Sequence, residues 1–259
     1  FVIQPLCCPV SDNFMELLLM ADSLRHASAK RITVVIPYFS YARSDKKDMP
    51  RISIAARLVA DLIEATGVHR VLTMTLHSEQ VQGFFRIPMD QLNPIPIFCR
   101  HFEELELENG VVLATDAGSA RRAGPYATRL NLPLAFIDKR RVSDEKVVAR
   151  AVVGDVEGKN VIIFDDEICR GNSLTEAVKA IAPLGVKSVR AAATHGIFAA
   201  DAMQKLCSQK LLKQVVVTDT VPVPQEARDD KIKVLSVASL FGEAIKRIHT
   251  GESISGLFD

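Results

Sequence analysis

Residues 161–174 read VIIFDDEICRGNSL. Four apolar residues, Val161 to Phe164, form a short buried strand by pattern, and two adjacent carboxylates, Asp165 and Asp166, stand where that strand should end. A polar turn from Cys169 to Ser173 follows, and a helical period then begins at Leu174, Ala177, Val178, Ala180 and Ile181. A turn between a strand end and a helix start presents unpaired backbone N–H groups and the positive end of the helix dipole, which suits an anion such as phosphate. The carboxylates are acceptors, suited to hydroxyl groups or a metal ion. One turn that offers both points to a sugar phosphate. The competing reading is a helix cap with acidic neighbours, and the surroundings weigh against it.

The chain outside this stretch alternates strands and helices. Ser11 caps a helix over 12–27, and Ile32 to Ile36 is a strand stopped by Pro37. A polar, basic loop leads to a helix from Ser53 to about Thr66, with Gly67 as its stop. Val71 to Leu76 is a strand, and 79–85 is a short helical turn. The segment 90–96 is rich in Pro and Asn and separates two halves. The second half repeats the pattern: strands at 111–114, 134–137, 161–164, 186–194, 215–218 and 232–235, with helices between them and a last helix to about Ile248. Alternation of this kind means an α/β protein with parallel sheets flanked by helices. Ligands in such folds lie at the carboxyl ends of the strands. Arg43, His77, Asp116, Lys139 and Asp165 all fall at expected strand ends, and that coincidence outweighs any one of them.

The 259 residues carry a net charge of +1, with 48% hydrophobic and 24% charged positions. This is an ordinary globular balance, with no general attraction to nucleic acid or membrane. No apolar run approaches the ~20 residues that span a bilayer. Five cysteines without metal-ligand spacing fit a reduced, cytoplasmic setting. Neither G-x-G-x-x-G nor G-x-x-x-x-G-K-[ST] occurs, so neither a standard dinucleotide site nor a Walker-type site is supported.

His77 is either a packed surface residue or part of a magnesium or triphosphate site shared with Asp116, whose carboxylate suits Mg²⁺ better than an imidazole does. Lys139-Arg140-Arg141 is either a solvated cluster or part of a charged lid over 138–150, and transfer between phosphates requires positive charge where negative charge develops. The basic loop from Arg43 to Lys47 is either solvated surface or a triphosphate grip.

At these residues the chain resembles the ribose-phosphate pyrophosphokinase family. The resemblance runs through FVIQP, MELLLMADSLRHASAKRITVVIPYFSYAR, LHSEQVQGFFRIPMDQL, DAGSARRA, FIDKRR, VVGDVEGKNVIIFDD, THGIF, VVVTDT and HTGESISGLF. It implies two phosphoribosyltransferase-like domains, over 1–90 and 91–247, with a tail, 248–259, packing back on the first. It also implies a further N-terminal segment ahead of Phe1. The implied reaction moves pyrophosphate from ATP to the 1-hydroxyl of ribose 5-phosphate. By resemblance Arg43, Asp45, Lys46 and His77 bind ATP, and His77, Asp116 and Asp90 organise Mg²⁺. Lys139 and Arg141 stabilise the transition state. Asp165 and Asp166 hold the ribose hydroxyls, and Gly171, Asn172 and Ser173 hold the 5-phosphate. A homo-oligomer is implied, hexameric in the family, and many members respond to phosphate and ADP.

The chain departs from the family pattern at Ser44 (usually Gln), Thr75 (usually Asp) and Arg86 (commonly acidic), and in the phosphate turn, where Cys169 replaces a carboxylate and Arg170 a threonine. Loss of acids near the nucleotide weakens cation binding, while Arg170 either strengthens phosphate binding through a bidentate contact or fills the pocket. Two alternatives stand beside the active enzyme: a non-catalytic regulatory paralogue, and a phosphoribosyltransferase. Retention of His77, Asp116, Lys139 and Arg141 argues against the first, and the doubled α/β organisation against the second.

Overall fold

Short runs of Val, Ile and Leu, most of them followed by a helix, fold here into two largely parallel sheets. The computed structural model describes residues 1–105, 108–141, 147–225 and 230–257, with the backbone alone at 139–141 and 147–150. It divides into two units, Phe1–Pro94 with Val237–Asp259, and Ile95–Ser236.

In the first unit four parallel strands lie side by side in chain order: β1 (Val2–Ile3), β2 (Thr33–Ile36), β3 (Arg70–Met74) and β4 (Met89–Leu92). Helices α1 (Val10–His26) and α2 (Ala55–Ala65) cover them. Phe14, Leu17 and Ala21 from α1, and Ala56, Val59, Ala60 and Ile63 from α2, close around Val34, Ile36 and Val71. These positions recur at helical spacing, which is why the sequence alone locates both helices.

The second unit holds α3 (Ile95–Glu103), β5 (Gly110–Ala114), α4 (Ala120–Arg129), β6 (Leu134–Arg141), β7 (Val147–Val153), β8 (Asn160–Ile168), α5 (Asn172–Ile181), β9 (Ser188–Gly196), α6 (Ala202–Cys207), β10 (Leu212–Thr218) and β11 (Ile232–Leu235). The strand order is β11-β10-β9-β8-β5-β6-β7, parallel except for the antiparallel β6–β7 pair. Residues of β8 alternate between two cores. Val161 and Ile163 face Leu174, Ala177, Val178 and Ile181 of α5. Ile162 and Phe164 face Phe98 and Phe102 of α3 and Ala123 and Tyr126 of α4. The side-chain period of two thus fixes which helix each neighbouring acid meets.

Four elements differ from the sequence expectation. β8 runs four residues past Phe164, because β9 pairs with it as far as Ile168; polar residues within a strand give no local sign of a long partner. β6 likewise continues through Lys139 to Arg141, paired with β7. Lys139 therefore lies within a strand and not at its end, and the lid expected over 138–150 is in its described parts a β-hairpin; 142–146 lie outside the described residues. Helix α3 occupies part of the Pro-rich stretch read as a boundary, since Pro96 sits in its first turn, where a missing N–H costs nothing. Finally, the division falls at Pro94 rather than at 90, and the C-terminal helix α7 (Ala238–Thr250) belongs to the first unit rather than the second. Arg31 Nη2 donates to the His249 carbonyl at 3.2 Å, and the Phe1 and His249 rings lie 6.5 Å apart. An amphipathic stripe does not say in sequence which sheet it covers.

Candidate active site

The chain order of the second sheet reverses between β5 and β8. From β5 the chain passes through α4 to β6 on one side, and from β8 through α5 to β9 on the other. Such a switch point opens a crevice at the carboxyl ends of the two strands. The β5–β8 pairing ends at Leu113 opposite Ile163. Asp165 and Asp166 therefore clear the end of β5 even though β8 continues beside β9.

Consecutive residues on a strand point to opposite faces, so Asp166 falls on the side of α4. Arg122 of α4 meets it: Nη1 lies 2.9 Å from Asp166 Oδ1, and Nη2 lies 3.5 Å from Asp165 Oδ1. The Asp166 side chain is only 3% exposed, whereas Arg122 is 40% exposed, so the acid is buried while the guanidinium reaches solvent. The Asp165 carboxyl is pushed up to about 7, first by burial and then by the charge and hydrogen bond of Asp166, with Arg122 pulling the other way. Two acids this close do not ionise together easily.

Asp116 lies two residues past the end of β5 and forms a closed turn just before α4. The Ser119 N–H donates to Asp116 Oδ1 at 2.7 Å, and Ser119 Oγ donates to the Asp116 carbonyl at 2.9 Å. The turn fixes the carboxylate at the carboxyl edge of the sheet, next to the strand that carries the acid pair.

The turn after β8 is bent by Gly171, which takes a left-handed conformation, φ 67°, and starts α5; the Thr175 N–H closes the first helical turn on its carbonyl at 3.0 Å. The preceding N–H groups at 172–174 have no carbonyl within the helix to bond. The segment after β9 clamps the turn from outside: Ala199 N–H donates to the Cys169 carbonyl at 2.9 Å, and Lys205 Nζ donates to Asn172 Oδ1 at 2.9 Å. Asn172 and Ser173 are exposed and Cys169 is half-buried. Arg170, also exposed, acts on Asp201, whose carboxyl sits below its ordinary value mainly through the Lys205 hydrogen bond, with a smaller contribution from Arg170.

In the first unit Arg43 ends a 3₁₀ turn, Ser40–Arg43, that follows β2, and His77 follows β3, which is adjacent to β2. Both are exposed, at the carboxyl edge of one sheet. Asp45 and Lys46 occupy the loop after Arg43, and Lys46 Nζ lies 3.9 Å from Asp48 Oδ1 in solvent. Asp90 is elsewhere. It pairs across the sheet with Leu72 and turns its carboxylate toward Arg70, the first residue of β3, with Nε–Oδ2 2.5 Å and Nη2–Oδ1 3.4 Å. That bidentate grip faces the amino end of the sheet and leaves Asp90 poorly placed as a cation ligand. Asp116 suits Mg²⁺ better, as a hard oxygen fixed at a carboxyl edge. No group of three or more His, Cys, Asp or Glu side chains converges as a metal site among the described residues. Lys139 and Arg141 lie on β6, beside β5, and extend past its end; their side chains lie outside the described residues.

Sequence reasoning missed Arg122 and the part played by Ser44. Arg122 looks like one more basic residue on a helix surface. Ser44 stands where a helix cap would be sought nine residues later, at Ser53, yet the Ala55 N–H donates to Ser44 Oγ.

The geometry defines a parallel α/β protein with an acid pair beside a turn that opens onto a helix N-terminus, at the switch point of its larger sheet. Residues 1–67 match the N-terminal domain of ribose phosphate pyrophosphokinase, and 139–259 match the phosphoribosyl synthetase-associated domain. The ribose-phosphate pyrophosphokinase of Deinococcus radiodurans is 52% identical over 263 residues, spanning 100% of this chain and 82% of that protein. That of Caldanaerobacter subterraneus subsp. tengcongensis is 49% identical over 259 residues, with the same two coverages. Among solved structures, phosphoribosylpyrophosphate synthetase from Mycobacterium smegmatis superposes with a TM-score of 0.90 at 38% identity, covering 97% of this chain and 82% of that one. The chain belongs to the ribose-phosphate pyrophosphokinase family.

Proposed function

We propose that this chain is a ribose-phosphate diphosphokinase that transfers pyrophosphate from ATP to the 1-hydroxyl of ribose 5-phosphate, giving phosphoribosyl pyrophosphate and AMP. The observation that carries the reading is the acid pair Asp165–Asp166 clearing the end of β5 on the strand that leads into the Gly171 turn. That arrangement fits a ribose: the carboxylates accept from its hydroxyls, and the N-terminus of α5 receives the 5-phosphate with Gly171, Asn172 and Ser173.

The sugar's 1-hydroxyl attacks the β-phosphorus of ATP and AMP leaves, so catalysis is positioning and charge neutralisation. Arg43, Asp45, Lys46 and His77 bind ATP from the first unit. Mg²⁺ would supply charge neutralisation on the ATP phosphates, with Asp116 as the residue that would hold it. Lys139 and Arg141 place positive charge against the transferred group. Asp90, engaged by Arg70, supports the sheet. The setting is cytoplasmic and the active form a homo-oligomer; among the described residues no helix is long and apolar enough to cross a membrane.

The test is AMP formation from ATP, ribose 5-phosphate and Mg²⁺ by the full-length protein, with Lys139→Ala as control. Ribose-dependent AMP that collapses in the control supports the enzyme and the role of Lys139. Binding of either substrate without turnover transfers the case to the regulatory paralogue.

A further inference from the structure

Adjacent acids on one strand diverge, yet a ribose diol requires acceptors that converge. In this fold Arg122 draws them together, with one guanidinium nitrogen on each Oδ1, at 2.9 Å to Asp166 and 3.5 Å to Asp165. The group also neutralises part of the charge that the two acids would otherwise hold alone in a site where Asp166 is buried. Asp165 Oδ1 accepts the Asp166 N–H at 3.0 Å, so the same oxygen is held by backbone and guanidinium together. Arg122 sits on α4, which the Asp116–Ser119 turn immediately precedes. One short helix therefore ties the Asp116 carboxylate to the orientation of the acid pair.

We propose that Arg122 is a positioning residue for ribose 5-phosphate: its planar fork converges Asp165 and Asp166 on the sugar hydroxyls. This rests on the function proposed above. A surface lysine could not do the same work, because an ammonium is a point charge and cannot hold two carboxylate oxygens in one plane. The competing account is a half-exposed ion pair of small consequence, since the Arg122 side chain is 40% exposed.

The experiment compares Arg122→Gln, Arg122→Lys and wild type in steady state, varying each substrate. The expected result is a KM for ribose 5-phosphate raised about tenfold or more in Arg122→Gln, which corresponds to about 1.4 kcal/mol. The KM for ATP should stay within about twofold, and Arg122→Lys should recover only part of the loss. The double variant Arg122→Gln/Asp166→Asn should cost less than the sum of the single changes, because the two groups act through one contact. A ribose 5-phosphate KM within about twofold of wild type in Arg122→Gln overturns the inference, as does an equal rise in both KM values or strict additivity. If Arg122→Gln does not fold, Arg122→Lys decides by the same KM split. If wild type makes no AMP, the function is wrong, and calorimetric binding of ribose 5-phosphate to wild type and Arg122→Lys still separates a positioning role from none.

Discussion

Ser44 caps a helix that begins eleven residues later: the Ala55 N–H donates to Ser44 Oγ at 3.1 Å. The same hydroxyl donates to the Ser53 carbonyl at 3.1 Å, and the Ala56 N–H donates to the Ser44 carbonyl at 3.1 Å. The loop that carries Asp45 and Lys46 is thus tied at both ends by one residue. Ser44→Ala should destabilise the protein by about 1 kcal/mol, the ordinary cost of a lost cap. It should also raise the KM for ATP more than that for ribose 5-phosphate. Thermal unfolding and steady-state kinetics on the same preparation check both; an unchanged ATP KM would detach the loop from nucleotide binding. Ser44→Gln, the usual family residue, should lose the cap as well, since the longer side chain cannot hold the same oxygen there.

The acid pair makes a pH prediction with a definite sign. Burial and Asp166 raise the Asp165 carboxyl to about 7, above its ordinary value of 3.8. The folded protein therefore binds more protons than the unfolded chain between those values, and stability declines as pH rises from about 4 through 7. Asp165→Asn should flatten that slope. Ribose hydroxyls donate to the ionised acids, so ribose 5-phosphate binding near pH 7 should release protons. Calorimetry in two buffers of different ionisation heat measures the release; none at pH 7 would contradict the shared proton.

The sequence speaks clearly where an interaction is local. The apolar run 161–164 and the period from Leu174 placed the β8–α5 unit because burial and helical spacing are written in adjacent residues. The extension of β8 to Ile168 depends on β9, and the hairpin at Lys139 depends on β7, partners distant in sequence. Arg122 and Ser44 escaped for the same reason: each acts across the chain, on Asp166 and on Ala55, and neither stands in a pattern of its own. Asp90 matched a family signature, yet Arg70, twenty residues earlier, determines where its carboxylate points.

Phe164 anchors the strand that presents the acids. Its ring stacks on Tyr126 at 3.9 Å and 9°, and meets Phe102 edge-on at 5.5 Å. Tyr126 is one helical turn from Arg122, so the stack also fixes the helix that carries the guanidinium. Phe164→Ala should cost about 3–5 kcal/mol, the range for a buried aromatic with a cavity left behind. Phe164→Leu should cost less and leave the ribose 5-phosphate KM nearer to wild type. Urea denaturation of the three proteins tests the order; equal losses would mean that the site tolerates the cavity.

Gly171 and Gly158 form a matched pair for separating backbone strain from site geometry. Both have left-handed backbones, φ 67° and 64°. A Cβ on Gly158 would meet nothing within 4 Å, whereas one on Gly171 would lie 3.3 Å from Leu206 Cγ and 3.7 Å from the Ala202 carbonyl oxygen. Alanine in the left-handed region costs about 1–2 kcal/mol at either position. At Gly171 the added contact with α6 must also be relieved, and any shift of the turn away from α6 displaces the residues proposed to hold the 5-phosphate. Gly171→Ala should therefore raise the KM for ribose 5-phosphate by about tenfold, while Gly158→Ala loses similar stability with both KM values near wild type. The comparison is made on thermal midpoints and on KM for each substrate. If the two variants lose the same stability and neither changes KM, the Gly171 turn does not hold the 5-phosphate.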